Sequence, residues 1–452
     1  LVPAVLEALR ESVIYKHVTE VVPGEADLYC AQYVNQYGGI ILTGDSDLLV
    51  HDLGADGAVC FFNGLHSSSE TPDIICGQIY QPAAIVNRLA LPRPYGLKSL
   101  AFEMSVDPDI SFRQVLGQAK LLQTVSTRPQ EFEDFIKDYT HLPENLPGKP
   151  TDMSETLSLL RALDPRISEF ILQFPYFACI AGQSPLGIAL QSPQVFLPVL
   201  LDCAVRTNAW NISTAVRQLA YALANFVVPD EQQKSTVFEH RRETSKANGR
   251  ELQLPHLSDL SEACTSLWKT MVQIREKLPG LQDFQFWTAL AIYQEVEWSF
   301  AYGKPSMCGA AVRELAKGGN HNLSWDIVHI FAQIQGSYYS FRILKQVVDL
   351  VLSVGSSNSL PEVIFNLQNQ LQSLPRICEL VGYSSIPSLI GEIEGLGMIQ
   401  ASKDILGVLD PIPAEIETET HAAKKKRKRE QSSHASKDRE KPNNPFDLLD
   451  VE

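Results

Sequence analysis

Apolar and polar positions change rhythm about a quarter of the way along the chain. Over residues 1 to about 125, short apolar runs alternate with amphipathic ones. LVPAVLEALRES carries its apolar residues on one helical face. Residues 17–22 read as a short strand, which Pro23-Gly24 breaks. Residues 25–37 then show helical spacing: Ala26, Cys30, Tyr33, Val34 and Tyr37 share a face, and Gly38-Gly39 supplies the stop. Ile40-Ile41-Leu42 is wholly apolar, the pattern of a parallel strand buried on both faces. Residues 59–62 read as another strand. Strand, helix, strand in this order predicts a parallel α/β sheet.

From residue 150 to 410 the period is helical. SETLSLLRAL, ISEFILQF, VRQLAYALANF, FWTALAIYQEV, WDIVHIFAQI, ILKQVVDLVLSV and PEVIFNLQNQLQ all repeat apolar residues at three- and four-residue spacing. An all-helical region is expected, interrupted by a long polar loop at about 229–250. The five tryptophans lie among Leu, Ile and Ala, where core packing is expected. Residues 411–452 have almost no large apolar side chains and read as a disordered tail.

Charge narrows the picture. The 452 residues carry a formal net charge of −15. Within the tail, Lys424, Lys425, Lys426, Arg427, Lys428 and Arg429 form an unbroken basic run, the pattern of a nuclear import signal. Taking those six charges away from −15 leaves −21 for the rest. So acidic a body argues against broad nucleic-acid coating, though a local basic groove is compatible with it. No apolar run reaches the length of about 18 residues that a membrane span needs. Eight scattered cysteines without a C-x-x-C pair fit a reducing compartment, not a zinc ribbon or disulfide framework. The terminal FDLLDVE is a small acidic-hydrophobic element; a frayed terminus is the expected reading, and a short docking motif that folds on a partner at Phe446 to Val451 is the alternative. The chain opens on Leu1 in what reads as a helix already under way, so an N-terminal half of the first domain is expected to precede it.

The candidate chemistry lies in PGEADLYCAQYVNQYGGIILTGDSDLLV. Glu25 and Asp27 open the expected helix; Asp45 and Asp47 follow the expected strand. The C-terminal end of a parallel strand faces the crevice where α/β proteins hold ligands. If the chain stays extended, strand alternation sends Asp45 and Asp47 to one side. Helix and strand are consecutive, so the four carboxylates are expected to converge. Convergent carboxylates repel without a cation, and oxygen-only ligands suit Mg2+ or Mn2+. Two such ions would clamp the attacking and leaving oxygens of a phosphodiester.

These two segments resemble the internal region of the XPG and flap endonuclease superfamily: Pro, a small residue and Glu-Ala-Asp at a helix start, then Thr-x-Asp-x-Asp after a strand. The resemblance implies a PIN-like α/β fold over residues 1–125 and metal-binding roles for Glu25, Asp27, Asp45 and Asp47. LAFEMSVDPDIS places Asp107 where the family's next acid stands. The duplex-gripping Gly-x-Gly segment of flap endonucleases does not follow; ISFRQVLGQAKLL stands there. LDPRISEFILQ and FLPVLLDCAVRTNAW resemble the fungal-type Asteroid branch, with its helical remainder. The nuclease-like resemblance covers roughly the first quarter of the chain. It implies a nuclear, magnesium-dependent, structure-selective nuclease acting on branched or single-stranded DNA or RNA, with a place in DNA repair. The alternative is an inactive PIN-like scaffold whose helical region binds protein or RNA partners.

Overall fold

The computed structural model describes residues 2–24, 26–68, 74–93, 95–137, 139, 154–181, 192–203, 205–241, 249–316, 324–355, 360–380 and 385–408. The basic run and the rest of the 411–452 tail lie outside the described residues, as does Glu25. The elements run α1 (Val2–Glu11), α2 (Ala26–Tyr37), β1 (Gly39–Thr43), β2 (Gly57–Phe61), β3 (His66–Ser67), β4 (Ile75–Cys76), β5 (Ile79–Tyr80), α3 (Pro82–Leu89), α4 (Leu97–Val106), α5 (Phe112–Leu121), α6 (Gln123–Thr127) and α7 (Pro129–Lys137). They continue with α8 (Ser154–Ala162), α9 (Pro165–Leu172), α10 (Pro175–Ile180), β6 (Gln194–Phe196), α11 (Thr214–Leu223), β7 (Thr236–His240), β8 (Arg250–Gln253), α12 (Leu257–Lys277) and α13 (Asp283–Ala301). The last are α14 (Met307–Ala316), α15 (Trp325–Val354), α16 (Glu362–Leu371), α17 (Ile386–Gly395) and α18 (Met398–Leu406). The chain divides into two compact units, whose described parts fall in residues 31–140 and in residues 1–30 with 141–408.

In the smaller unit, β1 and β2 pair in parallel, with Ile41 opposite Val59, and β5 adds antiparallel to β2. The order β1-β2-β5 makes β2 central, and all five of its residues are buried. The expected parallel pair is present, within a mixed sheet. β1 departs from the expectation of burial on both faces: Ile41 is buried, but Ile40 and Leu42 are 55 % and 49 % exposed. Among the described residues β1 stands at the edge of the sheet and pairs on one side only. The apolar face of α2 also differs. Its buried residues are Ala31 and Val34, whereas Tyr33 and Tyr37 are exposed and pack on each other with ring centroids 4.9 Å apart. Gly38 ends the helix at φ +71°, and its N–H donates to the Val34 carbonyl at 2.8 Å. A residue with a Cβ is disfavoured at that φ.

The larger unit holds most of the core. Phe170, Phe174, Phe177, Trp210, Tyr221, Phe286, Trp287 and Phe341 are buried in one cluster built largely from helices. Core packing thus holds for Trp210 and Trp287, while Trp325 is exposed at the start of α15. The expected strand at 17–22 is not formed. Residues 13–18 are turns, with the Thr19 hydroxyl donating to the Tyr15 carbonyl at 2.8 Å, and Val18 is exposed. Apolar character alone does not make a strand without a partner to complete its hydrogen bonds.

The expectation of an all-helical 150–410 with a loop at 229–250 is corrected. β6, β7 and β8 form a three-stranded sheet in which β6 pairs parallel and β8 antiparallel with β7. β7 alternates buried and half-buried residues, and its buried positions are Val237 and Glu239. The glutamate in the inward row hid the strand pattern. Its charge is met by Arg217 of α11, through Nε at 2.6 Å and Nη2 at 3.1 Å, by Arg241 through Nε at 2.8 Å, and by the Tyr221 hydroxyl at 2.9 Å. Arg217 also donates to the Trp210 carbonyl, Ser213 and Ser340, joining α11, β7 and α15. Burial alone would raise the Glu239 carboxyl; the two guanidinium groups overcome that and lower it to about 2.

Candidate active site

The acidic turn is built from the end of β1 outward. Past Thr43 the chain bends. The Asp45 N–H donates to Thr43 Oγ1 at 3.0 Å, and the Asp47 N–H donates to Asp45 Oδ1 at 3.3 Å. Ser46 has φ −83° and ψ −15°, and Asp47–Leu49 form a 3-10 turn. The segment is therefore not extended, and strand alternation does not set the direction of the two aspartates. A side-chain-to-backbone turn brings them together instead, a geometry aspartate favours. Leu48, Leu49 and Val50 are buried and anchor the turn, while Asp45 and Asp47 are exposed beyond the strand end.

Partial desolvation raises the Asp47 pKa, and the negative charge of Asp45 raises it further. A cation between or beside the two carboxylates would offset the repulsion between them. Their donors are oxygens only and open to solvent, so the pair suits Mg2+ or Mn2+ in kind.

Asp27 lies in the first turn of α2 and is half-buried. Burial, and then the Asp27 charge, push the Cys30 thiol up. The turn before it is tightly held: Pro23 is buried, and Gly24, at φ +78°, donates its N–H to Ser168 Oγ of α9 at 2.6 Å. Asp107 ends α4, exposed, with its Oδ1 accepting from the Asp109 N–H at 3.3 Å. Among the described residues no group of three or more His, Cys, Asp and Glu is placed to hold a metal ion. Asp45 and Asp47 meet; Asp107 does not complete a three-ligand set with them.

Two residues of interest escaped the sequence. Glu103, one helical turn before Asp107 on α4, is buried. Its Oε2 accepts from Thr124 Oγ1 at 2.6 Å and its Oε1 has no hydrogen-bond partner. Its signal was a single acid inside the apolar stretch SLAFEMSV. Ser168 carried no signal, because its partner is the backbone of a glycine 144 positions away.

A family model described as XPG domain containing matches residues 1–254, more than half of the chain. The matched region takes in Asp27, Asp45, Asp47 and Asp107 and runs on through β8, well past the first quarter. No curated protein and no solved structure matches the chain.

Proposed function

The chain belongs to the family of XPG domain containing proteins, and on that premise we propose that it hydrolyses phosphodiester bonds in branched or single-stranded nucleic acid. Membership makes the function nuclease-related and nucleic acid the partner class. XPG-like nucleases generally use divalent metals. We assign that role here to Asp45 and Asp47, with Glu25, Asp27 and Asp107 as the remaining carboxylates and Mg2+ or Mn2+ as the ion. The observation that carries the assignment is the Asp45–Asp47 pair at the C-terminal end of β1, where the Asp45 side chain accepts the Asp47 N–H and partial desolvation, then the Asp45 charge, raise the Asp47 pKa.

When bound, the ion would supply a nucleophile at neutral pH and charge stabilisation at the phosphate. The chain's own residues do the rest. Thr43 and the buried Leu48–Val50 run hold the acidic turn in one conformation. Asp45 keeps the Asp47 backbone in place while its second oxygen remains for a ligand. We read the helical remainder as Asteroid-type and the basic run of the tail as a nuclear import signal, which suits a role in DNA repair.

A second reading is a scaffold without catalysis that binds protein or RNA partners. It is favoured by the lack, among the described residues, of a three-ligand group and by the acidic body. Among the described residues no helix is long and apolar enough to cross a membrane. Calorimetric titration of the full chain with Mg2+ separates the two readings. The nuclease reading expects heat from saturable binding that the Asp45→Asn, Asp47→Asn double variant loses. Identical traces for both proteins support the scaffold.

A further inference from the structure

We propose that Phe62 is a stacking platform for an unpaired base of a single-stranded nucleic acid, beside the acidic turn. The partner class rests on the reading above; the placement of the ring does not.

β1 and β2 run in parallel with Thr43 opposite Phe61, so the residues that follow leave the sheet side by side at the same end. On one strand these are Gly44 and Asp45; on the other it is Phe62. A Cβ at Gly44 would stand 3.8 Å from Phe62 Cδ2, an ordinary van der Waals distance. The ring therefore lies against the residue that precedes Asp45. All these residues belong to the smaller unit. They share the C-terminal end of a parallel strand pair, where α/β sheets hold ligands.

The two phenylalanines have separate duties. Phe61 is buried in the central strand, whereas Phe62 is 56 % exposed. Exposure does not leave Phe62 loose. It follows directly on a strand whose five residues are all buried, and it opens a 3-10 turn, Phe62–Gly64. The Leu65 N–H closes that turn by donating to the Phe62 carbonyl at 3.3 Å. A ring held in this way has less freedom to lose when a ligand covers it.

Charge decides which part of a nucleic acid meets the ring. Asp45 and Asp47 repel a phosphate, and a formal net charge of −15 adds to the repulsion. A base is uncharged, and every base offers a π face that stacks on an aromatic side chain whatever the sequence. In a duplex those faces already stack on one another, so the ring selects unpaired strands. A base held on Phe62 would bring its own strand to the acidic turn.

The test uses the full chain with Phe62→Ala, Phe62→Leu and Phe62→Tyr. The probe is an oligodeoxythymidylate of about 10 nucleotides carrying one 2-aminopurine. Binding is read in EDTA, so neither metal nor cleavage enters. The wild type is expected to quench the 2-aminopurine and to bind a duplex of the same length more weakly. Phe62→Ala and Phe62→Leu are expected to lose the quenching and to bind about tenfold more weakly. Phe62→Tyr keeps both, and all three variants keep the urea midpoint of the wild type. The leucine variant retains apolar surface without a ring, so it separates stacking from burial. Wild-type affinity in Phe62→Ala or Phe62→Leu, duplex bound as tightly as single strand, or no binding by the wild type would overturn the proposal. Binding that depends on Phe62 without cleavage in Mg2+ keeps the platform and removes the nuclease reading. Cleavage in Mg2+ with binding indifferent to Phe62 does the reverse.

Discussion

Glu239 and Asp47 are carboxylates of the same matched region in opposite surroundings. Glu239 is fully buried, yet two arginines and a tyrosine hold it ionised, with its pKa lowered to about 2. Asp47 is exposed, yet its pKa is raised, because desolvation is joined by a like charge two residues away. Burial would push both upward, so it is the neighbours that separate them. In the first case the chain supplies the counter-charge and gains a rigid junction of α11, β7 and α15. In the second no counter-charge stands beside Asp47 among the described residues, and the turn is held at the surface by the buried Leu48 and Leu49. On the proposed nuclease reading, a cation would offset the repulsion between Asp45 and Asp47, and perturbed carboxylates do cluster at functional sites.

If the contrast is sound, substitutions at the two places act on different properties. Arg217→Ala strands Glu239 and should cost about 3–5 kcal/mol of stability in urea denaturation. Asp45→Asn should stay within about 0.5 kcal/mol of wild type in the same experiment. Comparable losses at both sites would break the comparison. The acid limb sharpens it. Because folding lowers the Glu239 pKa from its ordinary 4.5 to about 2, its contribution is complete above 4.5 and is lost as the pH falls through about 2. Acid denaturation of the wild type followed by tryptophan fluorescence should show that limb, and Arg217→Ala should move it to higher pH.

Arg342→Ala removes a partly exposed cation that joins Glu7 and Asp164. About 2 kcal/mol is expected in the same denaturation, between the values for exposed and buried ion pairs. The smallest effect concerns the acidic turn itself. With Asp45→Asn, the Asp47 pKa should move down toward the ordinary carboxylate range when followed by carboxyl-carbon NMR. No movement would mean that the two charges do not interact.

How far the sequence disclosed these two places follows from the range of the forces that build them. α2, its glycine stop, β1 and β2 were legible because their signals are local: helical spacing, Gly38 at a left-handed φ, an apolar run. The acidic turn was legible as composition but not as geometry. Asp-Ser-Asp looked like the end of a strand, whereas the Asp45 side chain captures the Asp47 N–H and curls the chain. β7 was hidden because its inward row holds Glu239, whose partners Arg217 and Tyr221 lie about twenty residues earlier on a helix. β1 was read as doubly buried because an apolar run does not reveal which strand stands at the edge of a sheet. Ser168 could not be found at all, since serine in a helix is common and its partner is a backbone amide.

The central claim is that Asp45 and Asp47 serve metal-dependent cleavage of nucleic acid. Its most direct test is to incubate the full chain with single-stranded and branched DNA and RNA, with and without Mg2+, beside Asp45→Asn. Cleavage by the wild type that requires Mg2+ and falls at least about 100-fold in the variant, while the variant keeps its folded stability, is the predicted result. Equal cleavage by both proteins, or none by the wild type on any of these substrates, would contradict it.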